Sequence, residues 1–229
     1  MKKLATSLLL LGAATAAHAQ TSAGTVLLGG NVGYSSSKEE YSPSSLGSSS
    51  SERTQREFRF SPSVGYFVAD NLAVGLIADL QTNKTKQPYT EYDQGVPSTY
   101  RFESTGSYKS IGPFVRYYKM IGEKAGFYGQ LAGGYRTGRS RSESNAPFFE
   151  GSDGKYRGSY ANLTPGFVFF PTPKIGLELT SGSIGYYNNK NTQEPTRQRI
   201  GQDNKSSGFG AYFGLQNLNI GASIYLGSN

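Results

Sequence analysis

Glu57, Arg59, Asp79, Arg116, Arg136 and Glu178 are the residues best placed to do chemistry in this chain. Each lies in a segment where apolar and polar side chains alternate, and each falls on the polar parity. Three are cations and three are anions. A balanced set of this kind suits an internal salt-bridge network better than an ion-selective path. Catalysis fits less well. Ser–His–acid chemistry needs an imidazole to take the hydroxyl proton, and the one histidine, His18, falls in a leader segment. A histidine metal site goes with it. The absence of cysteine removes thiolate nucleophiles, thiolate metal sites and disulfides. Paired carboxylates could do acid–base work, but no local constellation stands out. Gly129-Gln130-Leu131-Ala132-Gly133-Gly134 reads as strand interior, whereas a dinucleotide fingerprint opens a helix. The expectation is a protein that is not an enzyme and carries no cofactor and no metal.

The leader runs from Met1 to Ala19. Lys2 and Lys3 supply a positive start, Leu4 to Ala16 is an apolar run, and Ala17-His18-Ala19 is a small-residue cleavage signal. That run is shorter than the roughly 20 residues a membrane-spanning helix needs. Residues 1–19 are expected to be a signal peptide cleaved after Ala19, and residues 20–229 a single domain.

The chain carries 30 glycines, 17 tyrosines and 13 phenylalanines, no tryptophan, and a formal charge of +7. Mean hydropathy is −0.48. No long apolar run follows the leader, which excludes a bundle of membrane helices. A membrane barrel can have low mean hydropathy, because only alternate residues of each strand face lipid. The basic excess is dispersed, with no concentrated stripe, which argues against nucleic-acid binding.

Period-two alternation marks the elements that would hold the charged residues. In the segment 56–68, Phe58, Phe60, Pro62, Val64, Tyr66 and Val68 share one face, with Glu57 and Arg59 on the other. Leu72, Val74, Leu76, Ala78 and Leu80 alternate with a row that contains Asp79. Strands are expected over 24–35, 56–68, 72–82, 105–119, 125–136, 158–170, 174–186 and 207–226. The last one changes phase at Gln216-Asn217, which implies a β-bulge or an extra tight hairpin; the bulge is preferred, because a hairpin would leave an unpaired edge in lipid.

Three similar heptads, Ser61 to Phe67, Gly112 to Tyr118 and Thr164 to Phe170, recur at nearly equal spacing and argue for a repeated hairpin. Each is followed by a short polar turn. Long polar segments, 36–55, 83–104, 137–158 and 187–206, separate the hairpins. Short turns at one end and long loops at the other are the pattern of outer-membrane barrels. Pro62, Pro113 and Pro165 sit inside the heptads, where a missing N–H would interrupt a ladder. Tyr34, Tyr66, Tyr117, Phe127, Tyr135, Phe169 and Tyr225 lie near strand ends, as aromatic girdles would. Arg56 and Lys109 fall on the apolar parity near the outer rim, placed to meet lipid headgroups.

The proline heptads, the opening Gly24-Thr25-Val26-Leu27-Leu28-Gly29-Gly30 and the closing Leu218-Asn219-Ile220-Gly221-Ala222-Ser223-Ile224-Tyr225-Leu226 resemble small outer-membrane β-barrel proteins of the porin-family or OmpA/OmpX-like kind. The resemblance covers essentially the whole domain and implies an all-β fold: a closed, antiparallel, up-and-down transmembrane barrel of about eight strands. A barrel of that size has an interior just wide enough for side chains, so its lumen is expected to be plugged. The role expected is structural or surface-interacting, through four long extracellular loops. The rival readings are a porin-like channel for ions or small solutes, and a lipid or hydrophobic-solute binder or transporter. The expected partners are outer-membrane lipids and an extracellular ligand or protein met by loop aromatics such as Tyr41, Tyr89, Tyr92, Tyr100, Phe148, Phe149 and Tyr156. No nucleic acid is expected, and the chain is expected to be a monomer.

Overall fold

The computed structural model describes residues 20–41, 51–93, 96–147, 150–195, 200–214 and 218–227. The expected signal peptide, Phe148, Phe149 and Gln216-Asn217 lie outside them. The described residues form β1 (Val26–Tyr41), β2 (Ser51–Ala69), β3 (Leu72–Asp93), β4 (Val96–Met120), β5 (Ala125–Ser144), β6 (Ser152–Thr172), β7 (Ile175–Ser181), β8 (Ser183–Gln193), β9 (Gln202–Tyr212) and β10 (Leu218–Leu226). All pairings are antiparallel. β1 to β6 pair in sequence, β6 pairs with both β7 and β8, β8 pairs with β9, and β10 pairs with β7. The β1–β10 ladder, Val26↔Leu226 through Asn31↔Gly221, closes the ring at the short-turn end; beyond it, among the described residues, β1 pairs only with β2 and β9 only with β8.

β7 and β8 make one crossing and β9 and β10 another, so the ten segments form eight crossings. The two interruptions face each other. Ser181 pairs with Leu218 and Ser183 with Tyr212, so Gly182 alone separates the two ladders on its strand. Gly182 has φ +87°, and a β-carbon there would lie 1.7 Å from the Tyr212 carbonyl oxygen. Only glycine fits. The phase change at Gln216-Asn217 lies outside the described residues; on either side of it β9 and β10 pair with β8 and β7, the two halves of one crossing. Its counterpart at Gly182 gave no sequence signal, because one glycine among 30 carries no pattern.

The strands run well past their expected ends. β3 and β4 stay paired from Leu80↔Lys109 out to Asp93↔Val96, through most of what reads as loop in sequence. The physical reason is exposure. Beyond the apolar positions both faces meet water, so the ladder continues while the apolar alternation that reports it disappears.

The prolines show a common geometry. Pro62 pairs with Gly30, Pro113 with Leu76 and Pro165 with Gly129, each toward the preceding strand. On the opposite side the ladder skips a step each time: 61–62 against β3, 112–113 against β5, and 164–165 against β7 and β8. The missing N–H thus falls where no ladder bond forms. At the middle site the chains approach closely, and a β-carbon on Gly112 would lie 2.0 Å from the Gly133 carbonyl oxygen.

Candidate functional site

At the short-turn end, alternate residues of the strands point inward and meet. Leu27, Phe67, Phe114, Tyr118, Tyr128, Val168, Phe170 and Tyr225 are all buried there. The rings of Phe67, Tyr118, Tyr128, Phe170 and Tyr225 contact one another at centroid distances of 5.0–6.5 Å, the spacing at which tilted and edge-on aromatic pairs add to burial. Glycines make room for them. A β-carbon on Gly166 would lie 2.2 Å from Tyr128 Cζ, and one on Gly75 would lie 2.8 Å from Phe114 Cε1. Residues 21–25 cover the same end: Thr21 and Thr25 are fully buried, Thr21 Oγ1 donates to Asn71 Oδ1 at 2.6 Å, and the Gly24 N–H donates to the Phe67 carbonyl at 2.9 Å.

Two of the six inward charges sit directly on this aromatic layer. Arg116 Nη1 lies 2.8 Å from Glu178 Oε1 and donates to Tyr118 Oη at 3.0 Å, while its Nε donates to Gln130 Oε1 at 2.8 Å. Its guanidinium carbon stands 4.4 Å from the Tyr128 ring centroid, in cation–π range. Glu178 also accepts from Tyr128 Oη at 2.9 Å and from Ser223 Oγ. The pair is thus buried, with further hydrogen bonds to both partners, the condition under which a buried ion pair is tolerated.

The other four charges stand apart from it. Arg59 Nη2 donates to Gln81 Oε1 at 3.1 Å and lies 3.7 Å from Glu57 Oε1. Asp79 accepts from Ser61 Oγ at 3.1 Å. Arg136 Nε donates to Asn189 Oδ1 at 3.1 Å, with its guanidinium 5.5 Å from the Tyr156 and Tyr187 ring centroids. The inward charges thus fall into four separate groups where a single network was expected. Sequence reasoning missed Tyr118, Tyr128 and Tyr225. The signal was there for the first two, since Tyr118 shares the parity of Arg116 and Tyr128 that of Gln130. Tyr225 corrects the girdle expectation: it is fully buried in the lumen. Tyr156, expected as a loop aromatic, also faces inward and stacks edge-on with Tyr108 at 5.8 Å.

Above the aromatic layer lies a cavity of about 830 Å³, lined by Asn31, Ser61, Ser63, Asn162, Thr164 and Thr180 among others. Its walls also carry Glu57, Arg59, Asp79, Arg116 and Glu178. Arg59 Nε and Asn162 Oδ1 on this wall have no protein partner among the described residues. The lining is that of a polar chamber.

The outer wall is the reverse. Leu28, Phe60, Val64, Leu76, Val115, Leu131, Leu163, Leu177 and Ile220 are exposed on successive strands around the ring. Tyr34, Tyr66, Tyr117, Phe127, Tyr135 and Phe169 are exposed with them, as the girdle reading expects. An apolar belt that encircles a polar interior has no stable place in water, where contiguous apolar patches stay small. In lipid it is required, because acyl chains solvate the outward residues of each strand. The chain is a transmembrane β-barrel. Arg56 and Lys109 are exposed on the belt side of this barrel, one step beyond Phe58 and Ile111.

No family model matches the sequence, and no curated protein matches it. Among solved structures, the outer membrane protein OprG from Pseudomonas aeruginosa aligns at 14% identity with a TM-score of 0.47, over 90% of this barrel and 98% of that chain. Ail of Yersinia pestis, in complex with the heparin analogue sucrose octasulfate, aligns at 13% identity with a TM-score of 0.39, over 89% and 99% of the two chains. Neisserial surface protein A aligns at 15% identity with a TM-score of 0.33, over 88% and 97%.

Proposed function

We propose that this barrel is a non-conducting, non-enzymatic outer-membrane protein that acts at the cell surface through its long hairpins. The aromatic layer at the short-turn end carries the reading. Tyr118, Tyr225, Phe67 and Phe170 fill the cross-section with side chains no more than 1% exposed, and Thr21 and Thr25 lie buried at the same end. An ion would have to displace these rings and the Arg116–Glu178 pair to pass. The polar lining of the chamber above does not suit a lipid or a hydrophobic solute. The hairpins project beyond the belt on paired strands, and ion pairs such as Lys38–Glu52 at 2.9 Å and Lys190–Asp203 at 2.6 Å brace them. Rigid projections of this kind suit contact with an extracellular ligand or protein.

Planar-bilayer recording tests the reading. The native protein is expected to be silent, and the double variant Tyr118→Ala/Tyr225→Ala, which removes two central rings, is expected to show steady single-channel currents. Steady currents from the native protein would favour the porin-like alternative and overturn the plugged reading.

A further inference from the structure

Each crossing of the barrel, followed outward from its last apolar lipid-facing residue, meets a cation as its first charged residue on that face. On four crossings this cation is Arg56, Lys109, Arg157 or Lys205, and no ion pair engages these four among the described residues. On the other four it is Lys38, Lys84, Arg139 or Lys190, each paired with a carboxylate. The short-turn end shows no such bias, since Asp70, Lys119, Glu123, Lys124 and Lys174 are mixed in sign.

The order is sharpest on β6, β8 and β9, where three rows lie in register. Ala161, Tyr186 and Phe209 form an apolar row. Directly above it stand Ser159, Asn188 and Ser207, all small and polar. One step further out, Arg157 is opposite Lys190 and Lys190 opposite Lys205. Like charges directly opposite one another on adjacent strands destabilise a sheet. Asp203, on Lys190, is the one carboxylate paired within this triad among the described residues. The same juxtaposition recurs where Arg56 stands opposite Lys84 on β2 and β3.

We infer that the Arg157–Lys190–Lys205 row is a binding site for the phosphate groups of an anionic lipid in the outer leaflet. The inference rests on the belt lying in lipid. A phosphate at this level would neutralise the facing cations, its glycerol or sugar hydroxyls would meet the Ser159–Asn188–Ser207 row, and its acyl chains would lie on Tyr186 and Phe209. Arginine and lysine both bind phosphate well, and cations at an anionic membrane surface act additively.

The test is native mass spectrometry of the detergent-folded protein titrated with lipid A, a bis-phosphorylated glycolipid, against phosphatidylcholine. The native barrel should retain lipid A in preference. The triple variant Arg157→Gln/Lys190→Gln/Lys205→Gln should lose roughly 100-fold in apparent affinity, and Lys205→Gln alone about fivefold, which keeps the test open if the triple variant fails to fold. Neutralising Lys119, Lys124 and Lys174 at the other end should leave retention unchanged. Equal retention by the triple variant, or by Lys205→Gln if that is the only variant to fold, would overturn the site. Displacement of lipid A by millimolar inorganic phosphate would show an anion site and not a lipid site. Failure of the membrane placement has a separate readout, since spin labels on the belt would then report water.

Discussion

Arg116 and Glu178 approach to 2.8 Å inside the barrel although they lie 62 residues apart in sequence, one on β4 and the other on β7. The contact spans the lumen, because these strands are neither neighbours nor paired. It ties opposite walls of the barrel together directly on top of the aromatic layer.

Removing one partner leaves the other buried and uncompensated. Arg116→Met is expected to destabilise the folded barrel by about 3–5 kcal/mol. The double variant Arg116→Met/Glu178→Leu should recover much of that loss, because a buried pair is often replaceable by apolar side chains of similar volume. Urea midpoints in lipid vesicles measure both. A double variant no better than the single would refute the pairing.

Leu76 is 53% exposed on the outer wall, three residues from the inward-facing Asp79. Leu76→Arg should cost roughly 2–4 kcal/mol near the bilayer midplane. Asp79→Ser should leave insertion intact, since it alters only a lumen hydrogen bond from Ser61. Heat-modifiable gel mobility reports the folded fraction of each, and equal folding of the two variants would refute the assignment of faces.

The proline heptads make a sharper steric claim. Gly112→Val places side-chain atoms against the Gly133 carbonyl and is expected to block folding, whereas Gly129→Ala meets nothing within 4 Å and should fold normally. The same gel assay, run on both variants, separates them.

Most of the architecture was legible because lipid and lumen impose opposite demands on alternate residues. Phe58, Phe60 and Val64 against Glu57 and Arg59 already placed β2 and both its faces. Legibility failed where that contrast ends. On the outer hairpins Lys84 and Lys86 alternate with Asn83, Thr85 and Gln87, all of them polar, so a paired strand read as a loop. It failed in the aromatic layer too, because an inward tyrosine such as Tyr225 looks the same in sequence as one at the headgroup level. Gly182 was hidden because only Ile184 and Tyr186 follow it on the new parity before the polar segment, too few to show the shift.

The hairpin ion pairs predict an acid response. The Lys190 ammonium and the Thr192 hydroxyl hold Asp203 below its ordinary range, Lys84 does the same for Glu103, and Arg139 for Asp153. A carboxylate whose pKa is depressed by its folded partners contributes stability above its unfolded pKa of about 4 and loses it as pH falls through the lower folded value. Protection against amide exchange, relative to the intrinsic rate at each pH, should therefore fall in the outer parts of β3, β4, β5, β6, β8 and β9 below about pH 4. Exchange in the segments around the aromatic layer should stay slow. Uniform loss of protection along each strand would contradict the assignment.

The most direct measurement is a spin-label scan of β3 in lipid vesicles, made simple by the absence of native cysteine. Single cysteines replace Ala73 through Leu80 in turn, and each nitroxide is tested against oxygen, which partitions into lipid, and a nickel chelate, which stays in water. Oxygen accessibility is expected to peak at positions 74, 76, 78 and 80, with the chelate reaching 77 and 79 on the chamber wall. Equal accessibility at both parities, or oxygen maxima on the odd positions, would contradict a barrel that turns its apolar face to the bilayer.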